Sequence, residues 1–336
     1  MRILLVGPGT NFKFGARFYY SYVRRLLNGF VSNGHFVLQF SDRDHADYAL
    51  GLRSLGKRMA NRRLIEMATS LDPHLVCLVH AELIAPETIA TLRRELPRCR
   101  VAWVDFDPLT NPRFAERLDR KLEMADCVFA TSGGTHLRRI ARDRRAYFIP
   151  NPVDTAMDDE CAFESTSNEA DVFFCCGDAV TATQWSRALA LRAAAPELRC
   201  SYHGTATGRG LWGHAHMATM ARARIGLNLN KHEGGLYASD RMAQYLGNGL
   251  LLATDRASGY QAYFSDDEMI FYSGISELAD ACRRAARDDA WRQRARKGRD
   301  KALAIMANTL VAKFILSTCR GDAPPDAWVF PQYGET

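Results

Sequence analysis

The stretch Asn230-Lys231-His232-Glu233-Gly234-Gly235-Leu236-Tyr237-Ala238-Ser239-Asp240-Arg241-Met242-Ala243-Gln244-Tyr245-Leu246-Gly247-Asn248-Gly249-Leu250-Leu251-Leu252-Ala253-Thr254-Asp255 reads as strand end, glycine-bearing loop, helix, turn and strand. Ile225-Gly226-Leu227-Asn228-Leu229 alternates as a strand just ahead of it, and Ser239 is placed to N-cap a helix running to about Gly247. The free N–H groups and partial positive charge of such a helix start suit a diphosphate. Gly234 and Gly235 let a ligand approach the backbone, and Arg241 in the first turn adds a fixed positive charge. The same residues also describe an ordinary strand-loop-helix with a Gly-Gly turn, so the rest of the chain has to decide.

Upstream, the chain opens as a βαβ unit. Arg2-Ile3-Leu4-Leu5-Val6-Gly7 is an apolar run ended by Gly-Pro-Gly, a helix is expected from about Phe14 to Asn33, and Phe36 to Phe40 forms the second strand. Gly7-Pro8-Gly9-Thr10-Asn11-Phe12 lacks the third glycine of a dinucleotide fingerprint, and Asp42 and Asp44 do not stand cleanly where the ribose acid belongs, so a nicotinamide site is not expected. Leu75–Val79 and Val101–Val104 are further strands. His80, Glu82, Asp105 and Asp107 follow their ends, at the edge where open α/β sheets bind ligands. Taken singly, each has a structural use in a turn, a cap or a carbonyl contact. Together they form a candidate group of bases and hydrogen-bonding acids.

Pro150-Asn151-Pro152-Val153-Asp154 breaks the alternation, and the polar stretch Thr155 to Ala170 that follows marks a domain boundary. The second half resumes with Asp171–Gly177, a helix from Gln184 to Ala195, Leu198–Gly204, a helix from Ala215 to Ala223 and the stretch quoted first. The expected architecture is α/β, with two Rossmann-like halves facing across a cleft. Residues 1–155 form the first domain, 156–304 the second, and 305–336 a tail returning to the first. Arg187, on the helix after the first glycine turn of the second half, is another candidate cation. His203 opens the glycine-rich loop Tyr202 to His214, suited to stacking a base, though a surface loop with one buried Trp explains it equally well.

Composition bounds the function. Among 336 residues, 47% are apolar and 24% charged, and no run is long enough to cross a bilayer, so a soluble cytoplasmic protein is expected. The nine cysteines are scattered without zinc spacing and read as reduced core residues. The net charge of +6 is concentrated between Arg283 and Lys301 on one predicted helix, a candidate for contact with anionic lipid at the inner face of the membrane. No helix-turn-helix, zinc finger or RNP signature supports nucleic-acid binding.

Several pieces, in order along the chain, resemble the CgeB-like (spore-maturation-protein) glycosyltransferases, which have the GT-B fold. They are Arg25–Phe30 with Asn33-Gly34-His35, Phe40–Asp44, Val104–Pro108, Ile149–Asp154, and Ser239-Asp240-Arg241 through Leu252. The resemblance implies an acceptor-holding N-terminal domain, a nucleotide-sugar-holding C-terminal domain and no bound metal or other cofactor. It further implies transfer of the sugar to a hydroxyl of a glycan or glycolipid in polysaccharide biosynthesis. Donor-side candidates are then Lys231, Glu233, Gly234, Gly235, Tyr237, Ser239, Asp240, Arg241, Gln244, Arg187 and His203. Where many relatives place a ribose-binding Glu this chain has Gln244, so Asp240 or Glu233 would take that role. Asp105 leads the candidates for catalytic base, ahead of His80, Glu82 and Asp107. The competing readings are a non-catalytic nucleotide- or polyanion-binding module of the same shape and a sugar-nucleotide epimerase.

Overall fold

The computed structural model describes residues 1–9, 15–47, 53–176, 182–204, 210–230 and 234–332. The chain divides into two compact units, Met1–Pro150 with Asn308–Thr336, and Asn151–Ala307.

The first unit is built on six parallel strands, β1 (Arg2–Val6), β2 (Phe36–Phe40), β3 (Leu75–Val79), β4 (Arg100–Asp105), β5 (Cys127–Ala130) and β6 (Ala146–Phe148), in the order β2-β1-β3-β4-β5-β6. Every residue of β3 is buried, as the unbroken apolar run Leu-Val-Cys-Leu-Val requires of a strand covered on both faces. The helix Tyr22–Ser32 turns Val23, Leu26 and Phe30 inward, and the helix Asn308–Arg320 packs beside it. Their contact depends on Gly29, where a β-carbon would lie 2.3 Å from the carbonyl oxygen of Asn308. The expected helix from Phe14 is shorter at its start: Gly15–Phe18 is a 3₁₀ turn, and the α-helix begins after Ser21. A short helix, Asp42–Asp47, follows β2 where no element is expected; a run rich in acids and without apolar periodicity gives no signal for one.

The second unit carries β7 (Ala170–Cys175), β8 (Cys200–His203), β9 (Ala223–Asn228), β10 (Leu251–Asp255) and β11 (Ile270–Tyr272), all parallel, in the order β11-β10-β9-β7-β8. In both sheets the chain steps outward once and then reverses. The reversal points lie between β1 and β3 and between β7 and β9, and it is beyond the C-terminal ends of strands at such points that open α/β sheets bind ligands. Gly226 on β9 admits the ring of Tyr245, which would stand 2.5 Å from a β-carbon, and the Tyr245 hydroxyl accepts from the N–H of Cys175 at 3.3 Å. The helix Asp240–Gly247 is thereby fixed over the reversal point.

The basic run forms two helices, Ile275–Arg287 and Ala290–Ile305, separated at Asp288-Asp289, rather than the single expected helix. Many of its cations brace the unit. Arg292 donates to the carbonyls of Phe163 (2.6 Å) and Ser165 (2.9 Å), Arg294 to that of Met269 (2.8 Å), and Arg299 to that of Gly247 (2.7 Å). No helix among the described residues is long and apolar enough to cross a membrane.

Candidate functional site

In the first unit the four expected residues come together. Asp105 ends β4 and is 1% exposed, and its side chain accepts from the Asp107 N–H at 3.0 Å. Ser132, just past β5, holds the connecting loop by donating to the Asp107 carbonyl at 3.0 Å and accepting from the Leu109 N–H at 3.2 Å. His80 follows β3 with φ of 49°, in the left-handed region that non-glycine residues enter uncommonly and that clusters at functional sites. Its ring stacks on Phe106 at 4.4 Å, and Phe106 stacks on Tyr22 at 5.4 Å.

Two cations complete the group. Asn111 caps the helix Pro112–Met124 by accepting from the Arg113 N–H at 3.1 Å, and proline occupies the first helical position. Arg117 and Lys121, one turn apart on that helix, therefore share a face. The buried Lys121 ammonium donates to Asp105 at 2.7 Å and to Glu82 at 2.9 Å. Arg117 bonds Asp107 and lies 3.5 Å from both Asp105 and Glu82. The cap followed by an i, i+4 basic pair was visible in the sequence, but nothing there said which charges the pair would meet.

Asp105 is thus committed to Lys121, whereas His80 retains the properties of a base. Its Nδ1 is buried without a hydrogen-bond partner, 3.6 Å from Asp107 and 4.0 Å from both Glu82 and Asp105. Burial lowers the imidazole to about 4, against the pull of the Asp105 and Glu82 carboxylates, so the ring is neutral at pH 7. Ligand atoms of His80, Glu82 and Asp105 lie within 4.8 Å of one another, close enough to hold a metal. However, a divalent ion there would meet Lys121 and Arg117, which already balance these carboxylates.

In the second unit the loop and helix quoted first lie at the end of β9, beside β7. Gly234 and Gly235 have φ of 90° and 73°, so both positions call for glycine. Three asparagines secure the segment that follows. Asn230 donates to the Tyr237 carbonyl at 3.3 Å and accepts from the Ser239 N–H at 3.2 Å, Asn151 donates to the Ala238 carbonyl at 2.9 Å, and Asn228 accepts from the Ser239 hydroxyl at 2.7 Å. Tyr237 is buried, which pushes its phenol up to about 12. Ser239 occupies the N-cap but makes no side-chain cap bond, because its hydroxyl is turned to Asn228. The N-cap side chain is consequently not spent on the first N–H groups of the helix, which suits an anion site.

Arg241 reaches across the reversal point. It donates to the Leu229 carbonyl at 2.7 Å and lies over the Phe174 ring, 5.5 Å from its centre, with its Nε buried and unpartnered. Gln184, which the sequence did not mark, donates to the same carbonyl. Gln244 is buried between His216 and Asp240. Arg187 and His203 bond other partners, although His203 shares the Phe173 ring with His216. Arg187 pairs with Asp255 at 2.7 Å and lines a pocket of ≈ 450 Å³ at the ends of β10 and β11. His203 ends β8, 2.8 Å from the Ser201 hydroxyl, in a depression of ≈ 350 Å³. Lys231 and Glu233 lie outside the described residues, as does the 205–209 part of the glycine-rich loop.

A family model described as Glycosyl transferase-like matches residues 183–316. A search of curated proteins finds no match. Among solved structures the chain is similar to an alpha,alpha-trehalose-phosphate synthase (UDP-forming) from Burkholderia xenovorans in complex with glucose-6-phosphate, with a TM-score of 0.62 and 11% identity over 95% of this chain and 100% of that one. It is also similar to HepE from Anabaena in complex with UDP and glucose, with a TM-score of 0.59 and 12% identity over 96% and 100%. A glycosyltransferase from Rickettsia africae gives a TM-score of 0.59 and 10% identity over 95% and 98%. The fold is therefore GT-B, with two Rossmann-like domains.

Proposed function

We propose that the chain is a metal-independent glycosyltransferase that moves a sugar from a nucleotide-sugar donor to a hydroxyl of a glycan or glycolipid acceptor. Within the fold, the ordered sequence pieces quoted above favour the CgeB-like branch. The observation that carries the reading is His80: a strained residue at a strand end, neutral at pH 7, with one buried nitrogen facing three carboxylates. UDP in complexes of similar folds, together with the open helix start at Asp240, supports a nucleotide diphosphate on the second unit.

In this mechanism the imidazole of His80 takes the acceptor hydroxyl proton while the acceptor oxygen bonds to the anomeric carbon. The bond from that carbon to the diphosphate oxygen breaks. Asp107, Glu82 and Asp105 stabilise the imidazolium, and the Asp240–Gly247 helix start and Arg241 receive the charge on the leaving diphosphate. A base of this kind is what inversion of the anomeric centre needs.

The test screens UDP, GDP, dTDP, ADP, CMP and their common sugars by thermal shift, then assays transfer with the donor found. His80→Ala is expected to lower kcat by ~10²–10⁴-fold with donor affinity retained, and Arg241→Ala to weaken donor binding. Full transfer by His80→Ala, or unchanged nucleotide affinity in Arg241→Ala, would overturn the respective assignment.

A further inference from the structure

The backbone of His80 is pinned, and its ring is placed by something other than a hydrogen bond. Its N–H donates to the Val104 carbonyl at 3.0 Å, and its carbonyl accepts from the Glu82 N–H at 3.0 Å. The side-chain torsions alone are then left to orient the imidazole. Nδ1 stands 3.6 Å from Asp107 and 4.0 Å from both Glu82 and Asp105, beyond hydrogen-bond reach of each. What fixes the plane of the ring is a column of aromatic side chains. Phe106 stacks on the imidazole with centroids 4.4 Å and planes 24° apart, and Phe106 in turn stacks on Tyr22 at 5.4 Å and 26°. Phe106 belongs to the loop after β4, and the buried Tyr22 begins the helix Tyr22–Ser32, so the column is anchored in the core of the unit.

The stack and the charges do different things. Stacking confines the imidazole to one plane but is indifferent to which edge of the ring points where. Charge chooses the edge. The groups around the ring are Glu82, Asp105 and Asp107, with the cations Arg117 and Lys121 already paired to those carboxylates. Ionised carboxylates only accept, so the neutral ring gains most by facing them with Nδ1 carrying the hydrogen. The lone pair is then left on Nε2, at the opposite edge. That tautomer suits the proposed step: Nε2 takes the acceptor hydroxyl proton, while Nδ1–H is retained and is drawn to Asp107 as the ring becomes cationic. The face of Phe106 then meets a cation, which its quadrupole favours. A ring free to tilt out of this plane would present either nitrogen.

We infer that Phe106 is a positioning residue for the base. It holds the imidazole of His80 in the plane where the carboxylates keep the hydrogen on Nδ1 and leave Nε2 to receive the acceptor proton. The inference rests on the reading of His80 as the base of the transfer, and its test includes a measurement that needs neither donor nor acceptor.

Nitrogen NMR of the full chain carrying isotope-labelled histidine, at pH 7.5, reads the tautomer directly, with the His80 resonances assigned by their loss in His80→Asn. Wild type is expected to hold the Nδ1–H form. Phe106→Leu, which keeps an apolar side chain but no ring face, is expected to move the ratio towards Nε2–H by about two- to tenfold, the scale of one aromatic contact. Phe106→Tyr keeps the ring and is expected to keep the wild-type tautomer, which a role in filling space would not predict of one variant and not the other. In transfer, Phe106→Leu is expected to lower kcat by about two- to tenfold with the donor KM unchanged, and Phe106→Tyr to stay within about twofold of wild type. An Nε2–H form in wild type, or a ratio unchanged in Phe106→Leu, overturns the inference, and loss of transfer in His80→Ala would still support the base. A shifted ratio with full kcat in Phe106→Leu also overturns it when His80→Ala has lost transfer. Full transfer by His80→Ala overturns the base and the inference together.

Discussion

Lys121→Met is the sharpest perturbation of the first unit, because it removes the ammonium 2.7 Å from the almost fully buried Asp105 and 2.9 Å from Glu82. Methionine keeps much of the lysine stem's volume and its contact with Trp103, over which the ammonium now sits at 4.9 Å, so lost packing contributes little. What remains is an uncompensated buried carboxylate. Breaking a buried pair from one side costs ~3–5 kcal/mol. Arg117, 3.5 Å from Asp105, keeps the value near the lower end. At ~2–4 °C per kcal/mol for a domain of this size, a cost of ~3 kcal/mol lowers Tm by ~6–12 °C. The assay is calorimetric unfolding at pH 7.5 of Lys121→Met, Asp105→Asn and the double variant. Since the double variant has no orphan charge, it should recover at least ~2 kcal/mol relative to the sum of the singles. A loss below ~1 kcal/mol in Lys121→Met, or simple additivity, would show that Asp105 is not held as the buried partner of Lys121 and would return it to the head of the candidate bases.

Two further predictions concern pH. His80 and His216 are both lowered to about 4, so between pH 6.5 and 4 the unfolded chain binds protons that the folded one refuses, and stability falls as the pH drops through that window, by ~3 kcal/mol for each at the limit. Urea melts from pH 7.5 to 4.5 should show this slope, shallower in His80→Asn, where asparagine tolerates the left-handed backbone; an unchanged slope in that variant would remove His80 from the account. Asp42 works the other way. It is 0% exposed, and burial raises it from 3.8 to about 6 against the pull of the Arg43 charge and of nearby backbone N–H groups, so its ionisation costs stability as pH rises through that interval. Asp42→Asn should therefore stabilise the protein by up to ~3 kcal/mol at pH 7.5 and by almost nothing at pH 4, and equal effects at both pH values would refute the buried-charge explanation.

The fold was legible because its signals are local. Apolar runs such as Leu75–Val79, five residues long and bounded by residues that turn the chain, read as strands covered on both faces. The signal failed where local pattern and tertiary context part. The arginines of the 283–301 run look like a solvated or lipid-facing surface, yet Arg292, Arg294 and Arg299 spend their donors on carbonyls of neighbouring segments. A guanidinium on a long stem satisfies backbone oxygens that no strand or helix covers, and sequence alone does not show which oxygens are left over.

The same limit reorders the chemistry of the first unit. Position along the strands brings His80, Glu82, Asp105 and Asp107 to one edge, and that much follows from alternation. Their protonation behaviour does not, because it depends on two cations delivered by the Asn111-capped helix that follows β4. With Lys121 and Arg117 in place, the carboxylates are balanced, and the imidazole they surround is neutral at pH 7. The acids then serve the proposed reaction after the proton has moved, by holding the imidazolium, rather than by taking the proton themselves.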